Sequence, residues 1–425
     1  MQSVINRVSG VAAGRFAPGH LGELTQIVPF EMVDAALEAT ASVQARVRDL
    51  PSRVVVYLLL AGALFEGMGY SQVWSRLVAG VGAVVASPGS SALTQARRRV
   101  GPKPLRALFE LVRGPAAGAV RWRGLLVCAV DGTCLYAPAS DANLAAYGRH
   151  RAGPLGDSGF AMLRLVAVVA CGTRTVLDAV FGSDRCGETT YAPRLFGCLR
   201  AGMLLPADRN FDAAGLIESA AATGAQLLIR GQGKRKMAVA GRLTDGSWLT
   251  RIGAVTVRVI DADILVTGTG DHRSVRRVER YRLITTLIDE KRYPAKDLAV
   301  LYHQRWEIET SYAELKSGLL GGRVLRARRP ELITQEIYAL LVAYQAVRTA
   351  VADATLAPGT ISPDRGSFTV ALNTARDQLV RAAGIIAGTV VDLAGQIGRA
   401  VLAVPLPARR ARACPRVVKR AISKH

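Results

Sequence analysis

The run Leu125–Val130 (LLVCAV) has no polar side chain and ends on Asp131-Gly132-Thr133. An unbroken apolar run this short reads as a strand covered on both faces, so from residue 124 onward the chain must build a sheet buried between layers. Ala161–Val169 and Thr175–Phe181 read as two further strands joined by a turn at Gly172-Thr173. A helix is expected over Glu188–Met203, a short strand over Leu204–Ala207 ending at Asp208, a helix over Ala213–Ala222 and a strand over Gln226–Arg230.

Three strands followed by helix, strand, helix and strand is the order of an RNase H-like α/β core. The expected organisation follows from that core. Residues 1–118 form a helical N-terminal region, with helices at Glu31–Ala45, Arg53–Phe65 and Tyr70–Val78, and a Ser-capped basic helix beginning at Ser90 and running through Arg97, Arg98 and Arg99 to Gly101. Residues 119–230 are the first part of the core. Residues 231–292 are a β-rich insertion, with strands at Val255–Ile260, Ile264–Thr267 and Tyr281–Ile288. Residues 293–355 are the second part of the core, helical from Pro294 to about Leu320 and from Pro330 to Ala354. Residues 356–425 are a C-terminal helical region with a tail, Ala408–His425, that has seven basic and no acidic residues. Such a tail is expected to be a solvated arm.

Charge narrows the partner. With 55 Lys and Arg against 33 Asp and Glu, the net charge is +22, and the isoelectric point is about 10.4. Such an excess draws polyanions, and neutralising phosphates releases counterions, so nucleic acid is the leading partner. Mean hydropathy is slightly positive at +0.22, yet the best apolar run, Val54–Phe65, falls short of the roughly 20 residues a bilayer span needs. A membrane protein is therefore not expected. No signal peptide is read at the N-terminus, and a cytoplasmic location follows. The six cysteines contain no Cys-x-x-Cys pair and the five histidines are scattered, so no zinc site is expected.

The segment Tyr302–Lys316 carries the chemistry. On an ideal helix with Tyr302 at zero, Arg305 lies near roughly −60°, Glu309 near −20° and Lys316 near −40°, while Glu307 and Glu314 fall near 140° and 120° on the other side. A carboxylate can hold a divalent metal, and Arg, Lys and Tyr can hold phosphate oxygens. An exposed helix with i, i+4 ion pairs would show the same stripe. Asp131 and Asp208, each at a strand end, face the usual ligand crevice of an α/β sheet, although a lone Asp there also serves as a turn or cap residue. Three converging carboxylates need a cation.

Those residues also carry a resemblance. VDGT at 130–133, ADRNF at 207–211 and the spacing Tyr-x2-Arg-x3-Glu-x6-Lys at 302–316 resemble the insertion sequence four family of bacterial DDE transposases. The flanks at 50–74 and 324–348 are also similar to the family. The resemblance implies cut-and-paste transposition through a hairpin intermediate. It implies Asp131, Asp208 and Glu309 as catalytic acids holding two Mg²⁺ ions, with Mn²⁺ able to substitute. Tyr302, Arg305 and Lys316 would hold DNA phosphates near a flipped base. Trp248, the single Trp of the insertion, could stack on that base or pack between strands. Lys234, Arg235 and Lys236 could contact the DNA backbone or form a solvated loop. Double-stranded DNA, as terminal inverted repeats and target, and a homodimer in the synaptic complex are the implied partners. The alternatives are an inactive, transposase-derived DNA-binding protein and an RNase H-like nuclease without a joining step.

Overall fold

The chain folds around a ten-stranded mixed sheet whose path runs β2-β3-β1-β5-β6-β10-β9-β8-β7, with β4 paired to β3 outside that path. The strands are β1 (Leu126–Ala137), β2 (Arg149–Arg151), β3 (Asp157–Ala170), β4 (Val176–Ser183), β5 (Met203–Ala207), β6 (Gln226–Arg230), β7 (Gly241–Arg242), β8 (Trp248–Ile252), β9 (Val255–Gly270) and β10 (Arg273–Thr285). This computed structural model describes residues 21–44, 46, 50–79, 87–151, 157–233, 235–270, 273–357, 361–382 and 395–407. Lys234 and the basic tail lie outside the described residues.

β1 is antiparallel to β3, which is antiparallel to β4, while β5 and β6 run parallel to β1 and to each other. Leu126 through Val130 are all buried. Val127 and Ala129 join one apolar cluster and Leu126, Cys128 and Val130 the other, so this strand is covered on both faces, as its composition requires.

The first cluster contains the helical layer. Helices α1 (Phe30–Ala39), α2 (Ser52–Leu64), α3 (Tyr70–Val78), α4 (Ser90–Val100) and α5 (Lys103–Val112) precede β1, and α6 (Asp141–Tyr147) follows it. α2 is apolar around its circumference and buried throughout its second half, the mark of a helix with no solvent face. α7 (Glu188–Tyr191) and α8 (Ala214–Ala221) cover the other side of the sheet. After β10 come α9 (Ala295–Tyr302), α10 (Glu307–Ala313), the 27-residue α11 (Pro330–Leu356), α12 (Phe368–Ala382) and α13 (Gln396–Ala403).

Several expected elements are corrected. The first helix stops at Ala39 rather than Ala45: the Thr40 hydroxyl donates to Ala36 O at 2.7 Å, and Ala41 turns to φ 51°. The basic helix is not capped by a serine side chain, since Gly89 occupies the cap and Ser90 is already helical. The helix expected over Glu188–Met203 survives only as α7. Pro193 follows at once, Ala192–Cys198 is a 3-10 stretch, and Gly202 turns to φ 82° before β5. The strands expected at Val255–Ile260 and Ile264–Thr267 are one, β9. Asp261 does not break it, because it faces Arg282 of β10 and accepts from its Nε at 2.8 Å, an opposite-charge cross-strand pair. β10 also pairs with β6, so the β-rich segment continues the main sheet.

Candidate active site

The parallel strands β1 and β5 bring Asp131 and Asp208 near enough for Asp131 to feel the Asp208 charge. Val127 pairs with Leu204 across the parallel strands β1 and β5. Asp131 lies four residues further along β1, and Asp208 directly follows the end of β5. Asp208 caps a short 3-10 turn, accepting from Asn210 N at 2.8 Å. Asp131 stays in β1 opposite Ala167 of β3, and its Oδ1 accepts from Gly132 N at 2.8 Å.

The third acid arrives on the helical layer. Instead of one regular helix, Pro294–Leu320 divides into α9, a 3-10 stretch at His303–Trp306, α10, and a π-helical turn at Glu314–Leu319. The stripe nevertheless faces β1. The Arg305 guanidinium lies between two acids, with Nη1 3.3 Å from Asp131 Oδ2 and Nη2 3.4 Å from Glu309 Oε1. Lys316 Nζ donates to Thr133 Oγ1 at 3.3 Å. Tyr302 is buried, and its hydroxyl donates to Ala207 O at 3.1 Å, one residue before Asp208.

The electrostatics join these groups. Burial pushes the Asp131 carboxyl up to about 7; Arg305 pulls it down, and Glu188 and Asp208 push it further up. Burial works against the Arg305 cation, but Tyr302, Asp131, Glu309 and Asp208 outweigh it and hold its pKa above the ordinary value. Tyr302 is pushed up to about 12 by burial. A single guanidinium thus sits in the field of all three acids. Among the described residues, no group of three or more His, Cys, Asp or Glu side chains is arranged to hold a metal ion. The donor chemistry still fits one. The acids offer hard oxygens, and burial, with the charges of Glu188 and Asp208 adding to it, disfavours the ionised Asp131, a cost that a cation would offset.

Three residues of the site escaped sequence reasoning. Tyr312, on α10, donates to Asp131 O at 2.6 Å and accepts from Ala167 N at 3.0 Å. Its hydroxyl is therefore inserted into the β1–β3 ladder at the Asp131–Ala167 pair. Glu188 lies against Gly132: a Cβ there would be 2.4 Å from Glu188 Cγ and 2.6 Å from its Oε1. Arg164 of β3 holds that carboxylate through Nη1 at 3.1 Å and also pairs with Asp184. Only Gly132, inside VDGT, hinted that something must approach the strand closely.

The remaining expected DNA contacts are dispersed. Trp248 is half-buried in β8 opposite Val259, with the Arg282 guanidinium 5.9 Å from its ring centre. Arg235 commits its guanidinium to buried Asp212, donating to Asp212 O at 2.7 Å and to Oδ2 at 3.2 Å. Lys236 is exposed. Cys128 and Cys171 are buried free thiols, and burial pushes both up. Among the described residues no helix is long and apolar enough to cross a membrane.

The chain is similar to known proteins along most of its length. Residues 18–110 match the family described as "Insertion element 4 transposase N-terminal", and residues 122–346 match "Transposase DDE domain". The transposase InsG for insertion sequence element IS4 of Escherichia coli (strain K12) is 26% identical over 412 residues, covering 92% of this chain and 90% of that protein. The putative transposase InsZ of the same organism is 27% identical over 195 residues, 43% of this chain and 62% of its own length. A cryo-EM structure of the piggyBac transposase synaptic complex with hairpin DNA matches with a TM-score of 0.44 at 9% identity, covering 94% of this chain and 85% of that one.

Proposed function

The chain belongs to the DDE transposases of IS4-type insertion sequences, and from that premise we propose that Asp131, Asp208 and Glu309 are its catalytic acids. It is a DNA transposase that moves an insertion sequence, and transposases of this family work with divalent metal ions. The observation that supports the residue assignment is the Arg305 guanidinium, 3.3 Å from Asp131 and 3.4 Å from Glu309 and in the field of Asp208. We read the part of the sheet ordered β4-β3-β1-β5-β6 as an RNase H-like core, because two antiparallel hairpin strands flank β1 on one side and two parallel strands on the other.

Asp131, Asp208 and Glu309 would hold two Mg²⁺ ions. Held there, such ions would supply Lewis acidity to the water and the leaving oxygen of phosphoryl transfer. The chain's own residues do the rest. Arg305 would grip a phosphate between the acids, its guanidinium exchanging carboxylate oxygens for phosphate oxygens that it can also bind in pairs. Lys316, lightly held by a neutral threonine hydroxyl, adds a point charge alongside. Tyr302, with its hydroxyl engaged to Ala207, fixes α9 against β5 and so supports Asp208. The DNA is the element's terminal repeats and its target, handled by a homodimer at the nucleoid.

The test is cleavage in vitro of a DNA fragment bearing the element's own ends, with Mg²⁺, beside a Glu309→Gln control. Cleaved or hairpin-ended DNA and strand-transfer products from wild type alone support the reading. End binding without cleavage by either protein would leave a DNA-binding relic, and cleavage without joining would leave a nuclease.

A further inference from the structure

The helical segment that carries Glu309 is gripped by charge on its far side. Arg174, in the turn between β3 and β4, is 1% exposed. Its Nε donates to Glu307 Oε2 at 2.6 Å and its Nη1 to Glu314 Oε1 at 2.8 Å. Arg348, fully buried on α11, donates through Nε to Glu314 Oε2 at 2.8 Å and pairs again with Oε1. The Tyr344 hydroxyl lies 3.1 Å from Glu314 Oε2. Two guanidinium groups and two carboxylates thus make a neutral, buried quartet that joins the β3–β4 turn, α10 and α11.

We propose that this quartet sets the rotation of the 307–319 helical segment, and that Arg174 and Arg348 are positioning residues that aim Glu309 and Lys316 at β1. The inference rests on the reading of Glu309 as a catalytic acid. Glu307 and Glu314 project from the side opposite Glu309 and Lys316. A turn of the segment by one residue, about 100°, would carry both glutamates away from their arginines and strand four charges in the core.

The quartet is a poor device for stability alone. Buried ion pairs seldom outdo apolar packing, and their best-attested use is to fix one arrangement against others. This one is also incompletely satisfied: Arg174 Nη2 and Arg348 Nη1 are buried without a hydrogen-bond partner. Arg174 adds a backbone cost, holding φ 60° as a non-glycine residue, a conformation that persists only where the surroundings over-determine it. The π-helical turn starts at Glu314. It lets that residue keep its two arginines while Lys316 turns toward Thr133. Widened turns of this kind gather at functional sites.

The experiment compares wild type, Arg174→Met, Arg174→Lys and Glu307→Gln in the full chain. Single-turnover cleavage at saturating DNA ends and end affinity are measured well below each variant's melting midpoint. Arg174→Met is expected to bind ends within about threefold of wild type yet cleave about 100-fold more slowly, the usual scale for a catalytic group displaced by about an ångström. Arg174→Lys, which keeps the charge, is expected to recover part of that loss. A folded Arg174→Met that cleaves like wild type would mean the quartet serves stability only. Should Arg174→Met fail to fold, Glu307→Gln decides. It leaves Glu314 bound to both arginines, and a rate equal to wild type overturns the proposal where a loss of roughly tenfold supports it. If wild type itself binds ends and never cleaves, the catalytic reading falls first, and this inference falls with it.

Discussion

Gly132 shows how much one missing side chain can decide. The Glu188 carboxylate occupies the space a Cβ would need, one residue from Asp131, whose carboxyl feels the Glu188 charge. Gly132→Ala must push Glu188 off Arg164 or move β1. Overpacking of this kind costs about 1–3 kcal/mol. The expected outcome is a loss of that size in urea unfolding, with reduced cleavage. Removing the obstacle tests the cause: in a Glu188→Ala background the Gly132→Ala penalty should largely vanish. Strictly additive effects in that double-mutant cycle would show that the contact is not what constrains position 132.

Elements were legible from the sequence where periodicity fixes a face, and illegible where a partner far along the chain decides. The five strands β1, β3, β4, β5 and β6 were readable because apolar runs end at turns or acids. The Tyr302–Lys316 stripe was readable because spacing alone sorts Glu309 from Glu307 and Glu314. What those two glutamates face was not readable, since Arg174 lies 133 positions from Glu307 in a turn with no distinguishing pattern. The breaks at His303–Trp306 and Glu314–Leu319 were also hidden, because tertiary contacts impose them. Tyr312 is the clearest case: a helical aromatic that looks like ordinary core, yet its hydroxyl relays the ladder between Asp131 and Ala167. Tyr312→Phe leaves a buried amide and carbonyl without their mediator, which costs about 1–3 kcal/mol unless the strands close the gap. The expected result is lower stability of about that size, with Ala167 N–H losing hydrogen-exchange protection ahead of its neighbours. An unchanged exchange rate at Ala167 would mean that the strands re-pair directly and that Tyr312 does not space them.

At the scale of the whole molecule, the site is a local cost carried by a fold whose two apolar clusters supply the stability. Asp131 makes that cost measurable through pH. Its folded pKa is raised from 3.8 to about 7, chiefly by burial. Between those values the folded state keeps a proton that the unfolded state has released, so stability falls as pH rises through this window and the loss is complete above about 7. Each tenfold change in the acid's ionisation constant is worth about 1.4 kcal/mol, which bounds the loss at about 4 kcal/mol. Asp131→Asn cannot ionise and escapes it. The metal-free variant should therefore gain on wild type by up to a few kcal/mol between about pH 4 and pH 8, and differencing the two pH values cancels the pH-independent effect of the altered Arg305 contact. A divalent ion that binds the folded site alone stabilises wild type by mass action. Mg²⁺ at about pH 8 should accordingly raise the melting temperature of wild type and do little for Asp131→Asn. Parallel pH–stability curves for the two proteins, with equal responses to Mg²⁺, would mean that Asp131 is not the buried acid that draws the metal.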